Sequence, residues 1–207
     1  NINAYLHCPL LHTKFNYKED ISDVSSLFEQ IIKYIFMRKM VYNTWATHRQ
    51  AKDMWVKTLR NLLEDKYDLK ILNSMILLIN DLILKIPETF KDYDIIGIDV
   101  PLHETFDPYI YSDTVDVILS KQGEVIPLYI LHETARGGRD NRVRFLNAIL
   151  DNRLLEDIKE YRVITVMKSR YKEIKIDSFI IKQHAHSRSI QDLENTISLM
   201  AMDGIPN

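Results

Sequence analysis

The sequence has few of the residues that build several common kinds of site. One cysteine, Cys8, among 207 residues excludes an internal disulfide and a metal cluster held by cysteines alone. The five glycines form no glycine-rich phosphate-binding loop. The longest apolar stretch, Met75 to Ile86, is interrupted by Asn80 and Asp81, so it predicts no membrane span. We therefore expect an intracellular, cytoplasmic protein without membrane contact.

No charge of one sign dominates the chain. Lys and Arg number 27 against 29 Asp and Glu, which gives a net charge of -2. That balance argues against strong non-specific binding to phosphate backbones, although it permits a local basic patch. The 46% hydrophobic content is ordinary for a globular domain with a sizeable core. The richness in Ile, Lys, Asn and Tyr is typical of an AT-rich genome, such as that of a bacteriophage.

The hydrophobic pattern changes from a helical period to a strand period near residue 93. We predict a single mixed α/β domain over 1–207, with a mostly helical part over 1–92 and a sheet-containing core over 93–207. Its central mixed sheet is flanked by helices. The predicted helices span Asp20–Lys39, Asn43–Glu64, Leu69–Lys85 (stopped by Pro87), Arg142–Lys159 and Ser187–Met202, the last capped by Ser189 or Ser187. The predicted strands span Ile95–Leu102, Thr114–Ser120, Val125–His132, Arg162–Lys168 and Ile174–Ile181.

A lone acid, Asp116, lies inside the otherwise apolar strand Thr114–Ser120. A carboxylate in such a strand needs a partner, because burying an unpaired charge is costly. A metal ion is one such partner, and a nearby Arg or Lys is another. The hairpin signal Lys121-Gln122-Gly123-Glu124 then leads into a strand that ends at His132.

The chain resembles the RecB-like branch of the PD-(D/E)XK nuclease superfamily. Members often begin with a segment of the form xxYxxCPxxxxF, which Ala4–Phe15 matches at Tyr5, Cys8, Pro9 and Phe15. A helical stretch follows, then a strand with a glycine, a strand with an aspartate, a hairpin strand and a helix. The resemblance covers most of the chain in element order and implies a restriction-endonuclease-like core.

The resemblance also implies where the catalytic groups of an active member would lie. Active members bind Mg²⁺ with two acids on adjacent strands and place a lysine just beyond the second acid. Asp116 matches the first acid, whereas Ile130 stands at the second acid position and His132 at the lysine position. Because isoleucine cannot bind Mg²⁺, the resemblance implies a degenerate site.

Two other acids are candidates for a relocated second ligand. Glu133 directly follows His132, but strand alternation places it opposite Ile130, so a solvent-facing carboxylate is the simpler interpretation. Glu104 follows the first strand, near the edge of the expected site, where it would hold Mg²⁺ or Mn²⁺ together with Asp116. No cofactor is expected unless the protein is active, in which case Mg²⁺ or Mn²⁺ is required.

Four arginines flank Gly137-Gly138 at the predicted start of a helix: Arg136, Arg139, Arg142 and Arg144. Glycine backbone, a helix N-terminus and guanidinium groups together favour phosphate binding. This cluster is the candidate nucleic-acid contact, and a solvated loop and helix face is its alternative.

The sequence favours a degenerate nuclease-like domain that acts as a nucleic-acid-associated or protein-assembly module, with DNA, RNA or a protein as partner. The first alternative is an active Mg²⁺-dependent nuclease that uses Asp116 and a relocated acid. The second is a purely structural or interaction protein.

Overall fold

The computed structural model describes residues 24–51, 55–56, 59–60, 69–106, 109–132, 141–154, 158–166, 174–181 and 185–202. Its helices are α1 (Val24–Tyr42), α2 (His48–Ala51), α3 (Leu69–Thr89), α4 (Asn141–Leu154) and α5 (Ala185–Met202). Its strands are β1 (Asp94–Phe106), β2 (Tyr109–Lys121), β3 (Glu124–His132), β4 (Glu160–Val166) and β5 (Ile174–Ile180). No helix in these ranges is both long enough and apolar enough to span a bilayer.

The five strands form one mixed sheet in the order β1-β2-β3-β4-β5. Neighbouring strands are antiparallel except for β3 and β4, which are parallel. A parallel pair needs a crossover connection, and α4 lies in that connection. The prediction of a mixed α/β fold with helices around a central mixed sheet is therefore confirmed.

Apolar side chains form a core on each face of the sheet. One cluster joins α1 and α3 to the sheet, with Phe28, Ile32 and Ile79 fully or almost fully buried. The other joins α4 and α5 to the opposite face, around Tyr129, Leu146 and Leu193. The helical N-terminal part thus covers one face of the sheet, and the helices after β3 and β5 cover the other. The division of the chain at residue 92 stays a prediction.

Pro87 does not end the third predicted helix, because α3 continues through it to Thr89. A proline removes one backbone donor, and here it does so only in the last turn. The turn is held by burial on both sides of the proline: Ile86 and Phe90 are fully buried, and Phe90 packs edge-on against Phe36 at 5.3 Å. The backbone N–H of Phe90 still donates to the Ile86 carbonyl at 3.0 Å.

The helix predicted from Asn43 begins instead at His48, and residues 45–47 precede it without helical structure. Thr47 and Gln50 explain the boundary. The Gln50 backbone N–H donates to Thr47 Oγ1 at 3.3 Å, and the Thr47 N–H donates to Gln50 Oε1 at 3.1 Å. This reciprocal capping box satisfies donors that a helix start leaves unpaired.

The last two helix predictions were wrong at their ends. Ile158 and Lys159 lie outside helix, and the Ile158 N–H donates to Asp151 Oδ1 at 2.8 Å. Ser189 is not a cap, because α5 starts at Ala185 and the Ser189 hydroxyl donates to the Ala185 carbonyl at 2.8 Å within the helix.

The β2–β3 hairpin closes through Gln122 and Gly123, whose φ angles are 54° and 86°. Two successive positive φ values are those of a two-residue hairpin turn, in which glycine and asparagine are favoured. A Cβ added at Gly123 would meet no atom within 4 Å, so only the backbone conformation opposes a larger residue there.

We predict that Gly123→Ala lowers the free energy of unfolding by about 1 kcal/mol, because alanine is strained at positive φ. Gln122→Asn, in the same turn, should raise it by a few tenths of a kcal/mol, since asparagine tolerates the left-handed region. Urea denaturation of both variants measures the two effects. Equal destabilisation by both would contradict this turn geometry.

Candidate functional site

Asp116 lies where β2 and β3 stop pairing. Among the described residues, the last pair of this ladder before Asp116 is Val117 with Leu128. Just beyond it, the Ile130 backbone N–H donates to Asp116 Oδ2 at 2.8 Å. The side chain thus accepts the hydrogen bond of a strand backbone, and only 4% of Asp116 is exposed.

Lys33 of α1 brings an ammonium group to the other oxygen of Asp116. Its Nζ lies 3.5 Å from Asp116 Oδ1, and it lies 2.5 Å from an oxygen of each of two further acids, Glu29 and Asp99. Glu29 is one helical turn before Lys33 on the same face of α1. The Lys33 side chain is 12% exposed, so one largely buried cation serves three carboxylates.

Asp99 reaches Lys33 through an unusual backbone conformation. Its φ is 50°, and the pairs on either side, Ile98 with Val117 and Val100 with Val115, place it opposite Asp116. Ile98 packs against the core on the α1 side, whereas Val100 packs against the core on the other face. The alternation of β1 therefore slips at Asp99, and aspartate is one of the residues that tolerate such a φ.

Arg142 of α4 approaches Asp116 as a second cation. Its NH1 lies 3.8 Å from Asp116 Oδ2, its Nε donates to Asp113 Oδ2 at 2.9 Å, and its NH2 donates to the Thr114 carbonyl at 2.8 Å. The guanidinium is thus fixed on β2 by two hydrogen bonds. We call Asp116, Lys33, Glu29, Asp99 and Arg142 the Asp116 cluster.

Burial raises the pKa of Asp116 above its ordinary value, because desolvation penalises the ionised carboxyl. Lys33, the Ile130 N–H and Arg142 act in the opposite direction and offset only part of this rise. Burial lowers the pKa of Lys33, but Asp99, Asp116 and Glu29 outweigh it, so that pKa is raised. The ammonium is therefore strongly favoured, whereas the charge on Asp116 is held at a cost.

The structure separates Glu104 from Asp116. Glu104 lies on β1 opposite Tyr111, five positions beyond Asp99, which is roughly 16 Å along an extended strand. Its carboxylate lies 3.9 Å from Arg153 Nε, so it does not join Asp116. His132 ends β3 opposite Val166 on β4. The side chain of His132, and the whole of Glu133, lie outside the described residues.

The predicted arginine cluster is described at two of its four positions. The guanidinium of Arg142 contacts Asp113, Thr114 and Asp116. The sequence pattern had predicted a nucleic-acid contact for this side chain. Arg144 NH2 donates to Asp192 Oδ2 of α5 at 2.9 Å, and its side chain is 34% exposed. Arg136 and Arg139 lie outside the described residues, as does the segment Ala4–Phe15.

The described residues around Asp116 do not form a ligand set that fits Mg²⁺ or Mn²⁺. Ile130 offers an apolar side chain buried in the core on the α1 side, where a second acid is needed. Both Asp116 oxygens already face cations or an N–H. Within the described ranges, no three or more His, Cys, Asp or Glu side chains form a group that could hold a metal ion.

Three members of the Asp116 cluster were not foreseen from the sequence. Glu29 and Lys33 are four apart in the predicted first helix, a spacing that indicates a surface ion pair as readily as a site. Asp99 lies two residues after Gly97 in an otherwise apolar strand. Its isolated charge resembles that of Asp116, and this is the sequence signal that could have identified it as a site residue.

The fold is similar to that of a nuclease-like protein of known structure. The crystal structure of a "Putative exonuclease" from Eubacterium rectale superposes with a TM-score of 0.52 and 14% identity, over 91% of this chain and 71% of that one. A protein named SSO0001 gives 12% identity over 96% of this chain and 84% of its own, at a TM-score of 0.34 that is too low to carry an argument. No protein-family model and no curated protein matches the sequence.

We predict that the cost of ionising Asp116 is visible in the pH dependence of stability. Because its folded pKa is raised, the folded state holds a proton that the unfolded state has released, so stability falls as pH rises from 3.8, the ordinary value, through the raised pKa. Asp116→Asn keeps an oxygen for the Ile130 N–H and removes the titration. The free energy of unfolding of the wild type, relative to this variant, should therefore fall over that window.

Urea denaturation at several pH values between about 3.5 and 7 measures this difference. A wild type that gains stability relative to Asp116→Asn as pH rises would show that the cations outweigh burial, contrary to this account.

Proposed function

We propose that this chain is a degenerate nuclease-like domain of the RecB-like branch, which acts as a nucleic-acid-associated or protein-assembly module and does not hydrolyse phosphodiesters. The carrying observation is that Lys33 and Arg142 lie 3.5 Å and 3.8 Å from the two oxygens of Asp116, while Ile130 stands beside it. The similarity of the fold to that of a nuclease-like protein supports the first part of this proposal. The Asp116 cluster supports the second part, the loss of phosphodiester hydrolysis.

The Lys33 ammonium is an internal competitor for any metal at Asp116. It is covalently tethered, largely buried and in contact with Glu29 and Asp99 as well. A divalent ion would have to displace it and leave a buried ammonium with fewer partners, which is costly. Mg²⁺ also gives up its water reluctantly and needs several oxygen ligands in octahedral geometry. The site thus favours the internal cation.

Nucleic acid is the first partner class that we propose, through Arg136 and Arg139. Arg142 and Arg144 are engaged with Asp113 and Asp192, so the two arginines that precede α4 are the remaining members of the predicted contact. A protein partner in a larger assembly, in a bacteriophage or another source with an AT-rich genome, is the other form of this function.

An active nuclease is the second candidate, and one observation favours it. Glu29 and Asp99 each place an oxygen 2.5 Å from Lys33 Nζ, so these two oxygens lie at most twice that distance apart. These acids, rather than Glu133 or Glu104, would then be the relocated ligands. Lys33 would have to withdraw from between them.

We predict that the purified protein with Mg²⁺ or Mn²⁺ cleaves linear, single-stranded and supercoiled DNA, and RNA, no faster than a buffer control. The reason is that Asp116 is the only acid matched to the family site and that Lys33 and Arg142 already lie beside both of its oxygens. Gel analysis of labelled substrates over a range of protein concentrations measures cleavage. Asp116→Asn is tested beside the control Lys85→Gln, because Lys85 is an exposed lysine of α3 that pairs with Asp81 and is not a member of the Asp116 cluster.

Cleavage that Asp116→Asn abolishes and Lys85→Gln preserves would establish the active nuclease and overturn the proposal. Cleavage that both variants retain would mark a contaminating nuclease and leave the proposal standing.

A further inference from the structure

The C-terminal end of α1 and the residues after it form an exposed stretch with aromatic and basic side chains. Most of residues 41–50 are exposed. Tyr42 is 60% exposed, and Trp45 is partly exposed, so aromatic area that is usually buried faces solvent here. The sequence between Glu29 and Asp53 contains no acid. This stretch therefore adds only positive charge to the surface.

A cation lies against each of these two rings. The Arg38 guanidinium carbon lies 4.6 Å from the centroid of the Tyr42 ring, and the Lys39 ammonium lies 5.9 Å from the centroid of the Trp45 ring. Both distances fall within the roughly 6 Å over which a cation is attracted to an aromatic face. Trp45 is also anchored on the core, because it packs edge-on against the fully buried Phe36 at 6.0 Å. We call Arg38, Lys39, Tyr42 and Trp45 the α1-end surface.

Neither cation of the α1-end surface has a carboxylate partner in the part of the chain that the structure describes. Arg38 makes no hydrogen bond or ion pair there, and its Nε is buried without an acceptor. Lys39 donates to the neutral Asn43 Oδ1 at 2.8 Å. By contrast, Arg142 and Arg144 each contact a carboxylate at 2.9 Å. The charges of Arg38 and Lys39 can therefore attract an external anion.

The position of these cations in α1 has a second physical cause, which does not account for the rings. Lys39 lies in the last turn of α1, where the partial negative charge of the helix end favours a cation. That interaction requires no aromatic ring in solvent. Exposed rings beside cations are instead the combination that binds single strands, whose bases stack on the rings while their phosphates pair with the cations.

We propose that the α1-end surface binds single-stranded nucleic acid, with a base stacked on Tyr42 and backbone phosphates paired with Arg38 and Lys39. A single strand is favoured over a duplex, because the faces of its bases are accessible to a ring. The net charge of -2 gives the whole chain no general attraction for phosphates, so binding depends on a local surface of this kind. The inference rests on the nucleic-acid form of the function proposed above, and it assigns a contact that does not use Arg136 or Arg139.

Fluorescence anisotropy of the full chain with a labelled oligonucleotide of about 15 thymidines tests this contact, beside a blunt duplex of the same length. We expect saturable binding of the single strand that is tighter than binding of the duplex. The double variant Arg38→Gln/Lys39→Gln should weaken this binding. It should also lower the slope of log affinity against log salt by about 1.4, because each phosphate contact on a single strand contributes about 0.7. Duplex binding as tight as single-strand binding would overturn the proposal.

The aromatic contact is tested at Tyr42, whose exposure makes a change of fold on substitution unexpected. Tyr42→Ala should weaken single-strand binding by roughly fivefold or more, which is the lower end of the effect of removing one stacked base. Tyr42→Phe keeps the ring and should retain the wild-type affinity. A loss in Tyr42→Phe as large as that in Tyr42→Ala would contradict stacking on this ring.

Lys175→Gln/Arg188→Gln is the matched control for the double variant. It also removes one lysine and one arginine, both exposed, from β5 and from α5, which packs on the face of the sheet opposite α1. It should leave the affinity unchanged, and an equal loss in both double variants would show a general charge effect and overturn the proposal. Circular dichroism confirms that each variant folds. If Arg38→Gln/Lys39→Gln does not fold, the comparison of Tyr42→Ala with Tyr42→Phe decides the matter.

Two further outcomes separate this inference from the proposed function. Single-strand binding that Arg136→Gln/Arg139→Gln removes and the α1-end surface variants retain would overturn the inference and leave the proposed function standing. An absence of binding to either oligonucleotide at about 50 mM salt would overturn the inference together with the nucleic-acid form of the function, and would leave its protein-assembly form.

Vesicles of anionic phospholipid, titrated in place of the oligonucleotides, test a lipid surface as the alternative partner. We expect no binding to them that the α1-end surface variants remove. Binding to these vesicles without binding to the single strand would overturn the proposal.

Discussion

A buried carboxylate that must be compensated is the constraint around which this structure is arranged. Asp116 sits in the middle of an apolar strand, at a point where the sheet opens. An isolated ion there would be strongly disfavoured, so the fold supplies an N–H from β3, an ammonium from α1 and a guanidinium from α4. These groups approach from elements on different faces of the sheet, so the positions of α1, α4 and β3 are all coupled to this one side chain.

The same compensation determines what the site can do chemically. In a metal-dependent nuclease, clustered acids leave a net negative charge that a divalent ion neutralises. Here Lys33 already lies between Glu29, Asp99 and Asp116, and Ile130 adds no ligand. Lys33 therefore competes with a divalent ion for these acids, although the cations offset only part of the cost of burying Asp116.

Much of the fold could be predicted from local sequence signals, whereas the site required tertiary contacts. The strand and hairpin signals from Ile95 to His132 reflect alternation and turn chemistry that neighbouring residues determine, and the structure extends these strands rather than moving them. The end of the third helix could not be predicted from Pro87, because the burial of Ile86 and Phe90 overrides the local propensity.

The sequence identifies Asp116 as a residue that needs a partner, but it does not identify the partner. Lys33 lies on a helix far away in the sequence, and its i, i+4 spacing with Glu29 looks like an ordinary surface pair. The slip at Asp99 depends on a positive φ in a strand, which the sequence pattern does not indicate.

The most direct test of the central claim is calorimetric titration of the wild-type protein with Mn²⁺, beside Asp116→Asn. The account predicts no saturable Mn²⁺ binding that depends on Asp116, because the Lys33 ammonium holds the cation position among the three acids. Saturable binding to the wild type that Asp116→Asn removes would show that a metal displaces Lys33, and would contradict the account.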